Sequence, residues 1–341
     1  MTTTSSLTVE RGVLEVLTGQ PLPEAAKRLG MPADELAEAV ERYRTAGRAA
    51  LDARAGDTWY QVHLEFANWN AIEQEPAARL RAGLERAQEI GLIANWWFIR
   101  KAPCWRLRCQ PGNEASFEAL ERHLKRLVDD MKASGHIATS WTSIYEPEVA
   151  AFGGPRGMQI AHDLFHADSH AILDYLTSQN RSSSALPVGR RELSVVLCSA
   201  MMRGAGQDWF EQGDIWNRVA DLRPVPPNTP LERLPDLAAK LRHLMTIDTK
   251  PGSALLNDSS DLGFASPWID SFTKAGAAIA ATTLSRGTRE IVAQHIIFHW
   301  NRMGLSASTQ SILTRAAREV VFPSRPPLTR REHSQSHEGL R

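Results

Sequence analysis

The chain has 341 residues with 39 basic and 39 acidic side chains, so no overall field draws it to nucleic acid or an acidic membrane, and any charged partner must be met locally. No stretch approaches the roughly 18 uninterrupted apolar residues of a membrane span, and the opening MTTTSSLTVE lacks the basic and apolar regions of an export signal; the expectation is a soluble, cytoplasmic protein with no direct nucleic-acid contact. Three cysteines, Cys104, Cys109 and Cys198, are too few for a disulfide framework and lack zinc-ribbon spacing, which points to reduced packing thiols.

From about residue 9 to 49, Val9, Val13, Leu14 and Leu17, then Ala25, Ala26 and Leu29, then Leu36, Val40 and Tyr43 recur at helical spacing. With turns at residues 19–23 and 30–32, residues 1–55 resemble a three-helix, helix-turn-helix-like module. Its third helix carries Asp34, Glu35, Glu38 and Glu41 where a DNA-reading helix needs cations, so docking of a partner or plain packing is expected there. After Gly56 the period changes. WYQVHLEF alternates as a half-buried strand, a helix follows over 73–90, WWFIRK and CWRLRC form two strands joined by Ala102 and Pro103, a helix covers 114–133, and TSWTSIYEP is a fourth strand. The order β-α-β-β-α-β is that of a ferredoxin-like unit, within an α+β fold. Beyond Pro155 the pattern predicts helices over 158–177, 190–203, 207–222, 231–245, 267–284, 290–303 and 308–321, interrupted by the proline-rich LRPVPPNTPLERLP. The tail, 324–341, has no apolar period and is expected to be disordered, leaving 56–323 as the main domain.

Arg106 and Arg108 lie two apart in an extended stretch, so both guanidiniums leave the same side of the sheet while Trp105, Leu107 and Cys109 face the other way. With Arg100 on the neighbouring strand, they make a site for a di-acid or a phosphate, or else ordinary surface cations paired with acids on a helix. Glu148 precedes the Gly153-Gly154-Pro155 break, where the amides of a helix start can stabilise an anion and a desolvated carboxylate can act as base. His162, His166 and His170 recur every four residues. Two of them could reach one metal, but the glutamate of a zinc hydrolase is missing and partly buried histidines are the default, so no metal is assigned. In IIFHWNRMG, His299 and Arg302 stand three apart on one helix side, and the histidine suits proton transfer.

In this order WWFIRK, WRLR, YEPE with FGG, LFHADS and HWNRMG resemble the C-terminal domain of lantibiotic dehydratases, which also occurs as a separate protein in thiopeptide pathways; the resemblance covers about residues 59–322. It implies that a separate glutamyl-tRNA-dependent protein esterifies a Ser or Thr of a precursor peptide, leader plus core. This domain then eliminates glutamate to leave dehydroalanine or dehydrobutyrine. No cofactor is implied, because the glutamyl group arrives already activated. On that resemblance the catalytic set is Arg106, Arg108, Glu148 and His299, with His299 as base and Glu148 positioning the peptide or relaying the proton. The substrate-binding set is Arg100, Tyr145, Asp168, Ser169, Asn301 and Arg302. The sequence departs from the family pattern at three places: Trp105 stands before Arg106 with no histidine close by, where the family has H-L-R-L-R, Ala151 replaces the arginine of E-x-x-R-Y-G-G, and Ile297 fills a position often held by histidine. Two alternatives stay open, a [4+2] cycloaddition that builds a pyridine core and a non-catalytic peptide-binding scaffold, as does a homodimer.

Overall fold

The computed structural model describes residues 6–56, 59–181, 188–227, 229, 234–250, 252–256, 260 and 262–323. Two compact units divide the chain, one of residues 1–97 with 103–147 and one of residues 98–102 with 148–341. The expected disordered tail and residues 228 and 230–233 of the proline-rich stretch lie outside the described residues.

The first unit begins with α1 (Ser6–Leu17), α2 (Leu22–Leu29) and α3 (Ala33–Gly56) around a small core of Val13, Ala25, Ala26, Leu36 and Val40. Helix α2 stops because Gly30 takes the left-handed φ of 63° and turns its amide back to the Ala26 and Lys27 carbonyls. Helix α3 continues beyond the expected end near residue 49, since RAALDARA is rich in strong helix formers and holds no breaker.

Four strands then form an antiparallel sheet: β1 (Tyr60–Phe66), β2 (Ile93–Lys101), β3 (Cys104–Pro111) and β4 (Ile137–Ser143), in the order β2-β3-β1-β4. Residues 98–101 of β2 fall within the second unit. One face carries Val62, Leu64, Trp105, Leu107 and Cys109, and α4 (Glu75–Glu89) and α5 (Phe117–Ala133) cover it. Their apolar stripes, Leu80, Leu84 and Ala87 on α4 and Leu120, Leu124, Val128 and Met131 on α5, are fully buried or nearly so. Each such leucine stabilises by about 1.5–3 kcal/mol over an exposed one. Tyr60 meets Phe117 edge-on at 5.9 Å, and Trp96 donates to Gln88 Oε1 at 2.6 Å. Helix α5 starts three residues later than expected because Ser116 caps it, accepting from the Ala119 amide.

Strand β1 is buried except at Glu65, not merely half-buried as its alternation suggested. It runs through the middle of the sheet, so side chains from the strands on either side cover even Gln61 and His63. Strand β4 ends at Ser143, short of the end of the TSWTSIYEP stretch expected from sequence, because Ser143 pairs with Gln61 at the last position in register; Ile144 beyond it is 87% exposed.

The second unit contains α6 (Pro155–Arg181), α7 (Arg190–Gly204), α8 (Trp209–Leu222), α9 (Leu234–Thr246), α10 (Ser266–Ala281), α11 (Thr288–Arg302) and α12 (Ala307–Val321). Helix α7 is buried at every residue from Leu193 to Met202, which makes it the centre of this unit. It lies against α10 at two glycines: a Cβ on Gly204 would meet the Thr273 carbonyl, and one on Gly276 the Met201 carbonyl. Asp208 and Glu211 close a capping box at the start of α8. Among the described residues, no helix is long and apolar enough to cross a membrane.

Candidate functional site

Arg106 stands opposite His63, and Arg108 opposite Gln61, in the β1–β3 ladder. Across β1, His63 faces Trp141 and Gln61 faces Ser143 of β4. Since residues i and i+2 share a face, these side chains form one polar patch on the side of the sheet away from α4 and α5. Arg108 is 4% exposed, its guanidinium carbon 4.1 Å from the Trp97 ring centre and 4.4 Å from that of Tyr145. Two aromatic faces thus hold one cation. Its Nε donates to Gln61 Oε1 at 2.6 Å, which orients the Gln61 amide so that Nε2 donates to Ser143 Oγ at 2.6 Å and to the Ile144 carbonyl at 3.1 Å.

Ser143 Oγ lies 2.9 Å from His63 Nε2, and His63 Nδ1 lies 3.6 Å from Cys104 Sγ. The imidazole stacks on Trp141 with ring centres 4.8 Å apart. Burial, then the charges of Arg106 and Arg108, hold the His63 pKa below its ordinary value, so the ring is neutral at pH 7. Arg106 is half-buried, and its Nε has no hydrogen-bond partner among the described residues. The two arginines therefore differ: Arg108 is enclosed in the sheet, and Arg106 is the more exposed of the pair.

A second constellation occupies the helical unit. The Asp168 carboxylate on α6 accepts from Trp268 Nε1 at 2.9 Å, from His299 Nδ1 at 3.0 Å to each oxygen, and from Arg302 Nε at 2.6 Å. Asp168, His299 and Arg302 are all 0% exposed. Burial would push the Asp168 carboxyl up, but the charges and hydrogen bonds of His299 and Arg302 outweigh it and hold the carboxyl below its usual range. The Arg302 guanidinium carbon sits 4.2 Å from the Phe165 ring centre, and its two terminal nitrogens have no hydrogen-bond partner among the described residues. His299 packs edge-on against Phe272 at 4.9 Å. Helical spacing correctly paired His299 with Arg302, but what they share is a buried aspartate, and the imidazole presents no exposed edge. Nearby, Ser169 Oγ accepts from the Phe98 amide at 3.2 Å, and Asn301 Oδ1 accepts from Gln310 Nε2 at 3.0 Å.

Both constellations fall within residues 59–321, which match the family described as lantibiotic biosynthesis dehydratase C-term. The chain belongs to this family. No curated protein matches it. Among solved structures, the tRNA dependent lantibiotic dehydratase MibB from Microbispora sp. 107891 is similar at a TM-score of 0.57 and 18% identity, over 79% of this chain and 28% of MibB. TsrL is similar at a TM-score of 0.49 and 16% identity, over 77% of this chain and 95% of TsrL. The MibB likeness shows a shared fold, and this chain spans little more than a quarter of MibB's length.

In this lantibiotic dehydratase C-terminal chain, Glu148 is exposed at the start of the FGG loop, and its carbonyl accepts from the Ala151 amide at 2.9 Å. Gly153 and Gly154 take φ of 81° and 107°, which a side chain would resist. Their amides bond inward, to the Ala150 and Val149 carbonyls. The Ser285 amide binds the Gly153 carbonyl at 2.9 Å and fixes the loop. Arg100 is half-buried, with its guanidinium against Gly304. Of the histidine stripe, His162 is buried and His170 Nδ1 lies 3.1 Å from Asp174; among the described residues, no group of three or more ligand-type side chains is arranged to hold a metal. An open recess of about 520 Å³ at the start of α11 is lined by Arg218, Arg286 and Arg289, but Asp214 and Glu290 already pair with them. Gln61, His63, Ser143 and Trp268 were not singled out from sequence. Each acquires its role through a partner 41 or more residues away, and only strand register or helix packing reveals it.

Proposed function

We propose that this chain eliminates glutamate from glutamylated Ser or Thr residues of a ribosomal precursor peptide, a lyase step in thiopeptide-type maturation that follows a separate glutamyl-tRNA-dependent protein in the cytoplasm. The observation that carries the proposal is the arginine pair, Arg106 and Arg108, leaving one face of β3 inside the family segment. Elimination removes the Cα proton, breaks the Cβ–O bond and releases glutamate as a carboxylate, and a preset cation lowers the barrier where that charge develops. Arg106, the more exposed of the two, touches the leaving carboxylate. Arg108 and Tyr145 fix the surrounding patch, and the exposed Glu148 positions the peptide. Arg100, in the second unit, is a further cation for substrate carboxylates. In the helical unit, Asp168, Ser169, His299, Asn301 and Arg302 act as positioning residues.

The element order β1-α4-β2-β3-α5-β4 with strand order β2-β3-β1-β4 supports a ferredoxin-like unit over Tyr60–Ser143, the part of the proposed 56–323 domain that precedes the helical array. Residues 6–56 form a helical module of their own in this proposal. MibB is described as a tRNA dependent dehydratase, in keeping with a tRNA-dependent step before the elimination proposed here. A second reading, pyridine formation by cycloaddition, is favoured by Ala151 standing where an arginine is usual in the family and by the missing histidine just ahead of Arg106.

One assay separates them. The protein is incubated with glutamylated peptide and, separately, with fully dehydrated peptide, and products are followed by mass. Loss of glutamate, reduced at least about tenfold in Arg106→Ala, is expected. Ring formation with leader release from the dehydrated peptide replaces elimination with cycloaddition. Binding of both peptides without conversion refutes both and leaves a scaffold.

A further inference from the structure

We propose that Ser143 and His63 form a proton relay beside the arginine pair, in which the exposed Ser143 hydroxyl takes a proton from the bound substrate while passing its own to His63 Nε2. The inference deepens the proposed elimination and rests on it for the identity of the substrate. It starts from the direction of a hydrogen-bond chain. Arg108 Nε–H can only donate, so it fixes Gln61 Oε1 as the acceptor; Gln61 Nε2–H then donates to Ser143 Oγ. An oxygen that accepts so short a bond has its own proton left to give, and the acceptor 2.9 Å away is His63 Nε2. That places the His63 hydrogen on Nδ1, toward Cys104 Sγ at 3.6 Å.

The surroundings favour a neutral, receptive ring. Arg106 and Arg108 face His63 from β3, Cys104 lies beside it, Trp141 of β4 stacks on it, and Glu65 stands two residues along β1. His63 itself is 9% exposed, whereas Ser143 is open at the end of an edge strand. A substrate therefore reaches the hydroxyl and not the ring. In the reaction the Cα–H electrons form the Cα=Cβ bond and the Cβ–O bond breaks. Glutamate leaves with that electron pair, the Cα proton stays on Ser143 Oγ, and the former hydroxyl proton rests on His63 until solvent removes it. The imidazolium so formed is transient, because two guanidiniums disfavour it, which returns the ring to its receptive state.

Two measurements test this. First, steady-state elimination of a glutamylated peptide is compared for the native protein, Ser143→Ala, His63→Ala and the double variant. Each single variant is expected to lose about a hundredfold in kcat with KM nearly unchanged, and the double variant no more than the worse single one, because the two residues act as a unit. Added imidazole restores part of the His63→Ala rate, and an α-deuterated substrate shows a larger isotope effect in both variants. Native elimination with Ser143→Ala within about threefold of it overturns the relay while leaving the elimination proposal standing; this variant removes one exposed oxygen and so tests the idea even if His63→Ala fails to fold. Second, nitrogen NMR of the imidazole at pH 7 reads the tautomer without any activity. Hydrogen on Nδ1 supports the relay even if glutamate elimination is not the reaction; hydrogen on Nε2 overturns it.

Discussion

At the scale of single residues, the buried Asp168–Arg302 pair makes the sharpest demand. Both groups are 0% exposed, and among the described residues Arg302 bonds to Asp168 and lies on the Phe165 face. Replacing Asp168 by Ala strands a guanidinium in an apolar core, which typically costs about 3–5 kcal/mol, whereas removing both charges leaves packing to adjust and is far milder. Asp168→Leu combined with Arg302→Met is accordingly expected to be more stable than Asp168→Ala by about 2 kcal/mol or more. Hydrogen exchange of the α6 and α11 amides reads the difference, and equal protection in the two variants would refute a mutual dependence.

Elements pose a different question, how closely two backbones approach. Gly276 on α10 meets the Met201 carbonyl of α7, so a methyl group there forces the helices apart, and Gly276→Ala is expected to destabilise by about 1–3 kcal/mol in urea unfolding. Gly47, exposed in α3 with nothing near a Cβ, reverses the sign: alanine there is expected to stabilise α3 by about 0.5–1 kcal/mol, seen as higher helicity on heating. The periodicity that places α7 and α10 in the chain is local and was legible: alternation located β1, and the 3.6 period located the helices to within a few residues. What no local period encodes is register. That His63 lies against Arg106 and Ser143 follows from how β1 aligns with β3 and β4, and that His299 meets Asp168 follows from how α11 packs on α6. The arginine pair could be read because i and i+2 share a face; its histidine could not.

For the molecule as a whole, titration links burial to stability. His295 is buried among Phe152 and Phe165, and desolvation, then the Arg302 charge, lowers its pKa to about 3. His63 is shifted in the same direction. As pH falls below the ordinary 6.5, the unfolded chain binds protons that the native one refuses, so stability drops. At pH 5.5 His295 alone is expected to remove about 1.4 kcal/mol relative to pH 7.5. Asp168 adds nothing in that window, because a depressed carboxyl keeps its contribution above the unfolded value near 3.9 and loses it only at lower pH. Urea midpoints across pH 5.5–7.5 measure the slope. His295→Phe retains the edge-on ring contacts and is expected to flatten it, and an unchanged slope would assign the effect elsewhere.

The three thiols are buried, Cys104 and Cys109 in β3 and Cys198 in α7, and burial pushes the Cys109 and Cys198 thiols well up. Neither forms a thiolate while its unit stays closed, so an alkylating reagent modifies each only when the surrounding structure opens. The sheet unit and the helical unit thus each carry an internal clock, and the two labelling rates record whether they open together or one before the other.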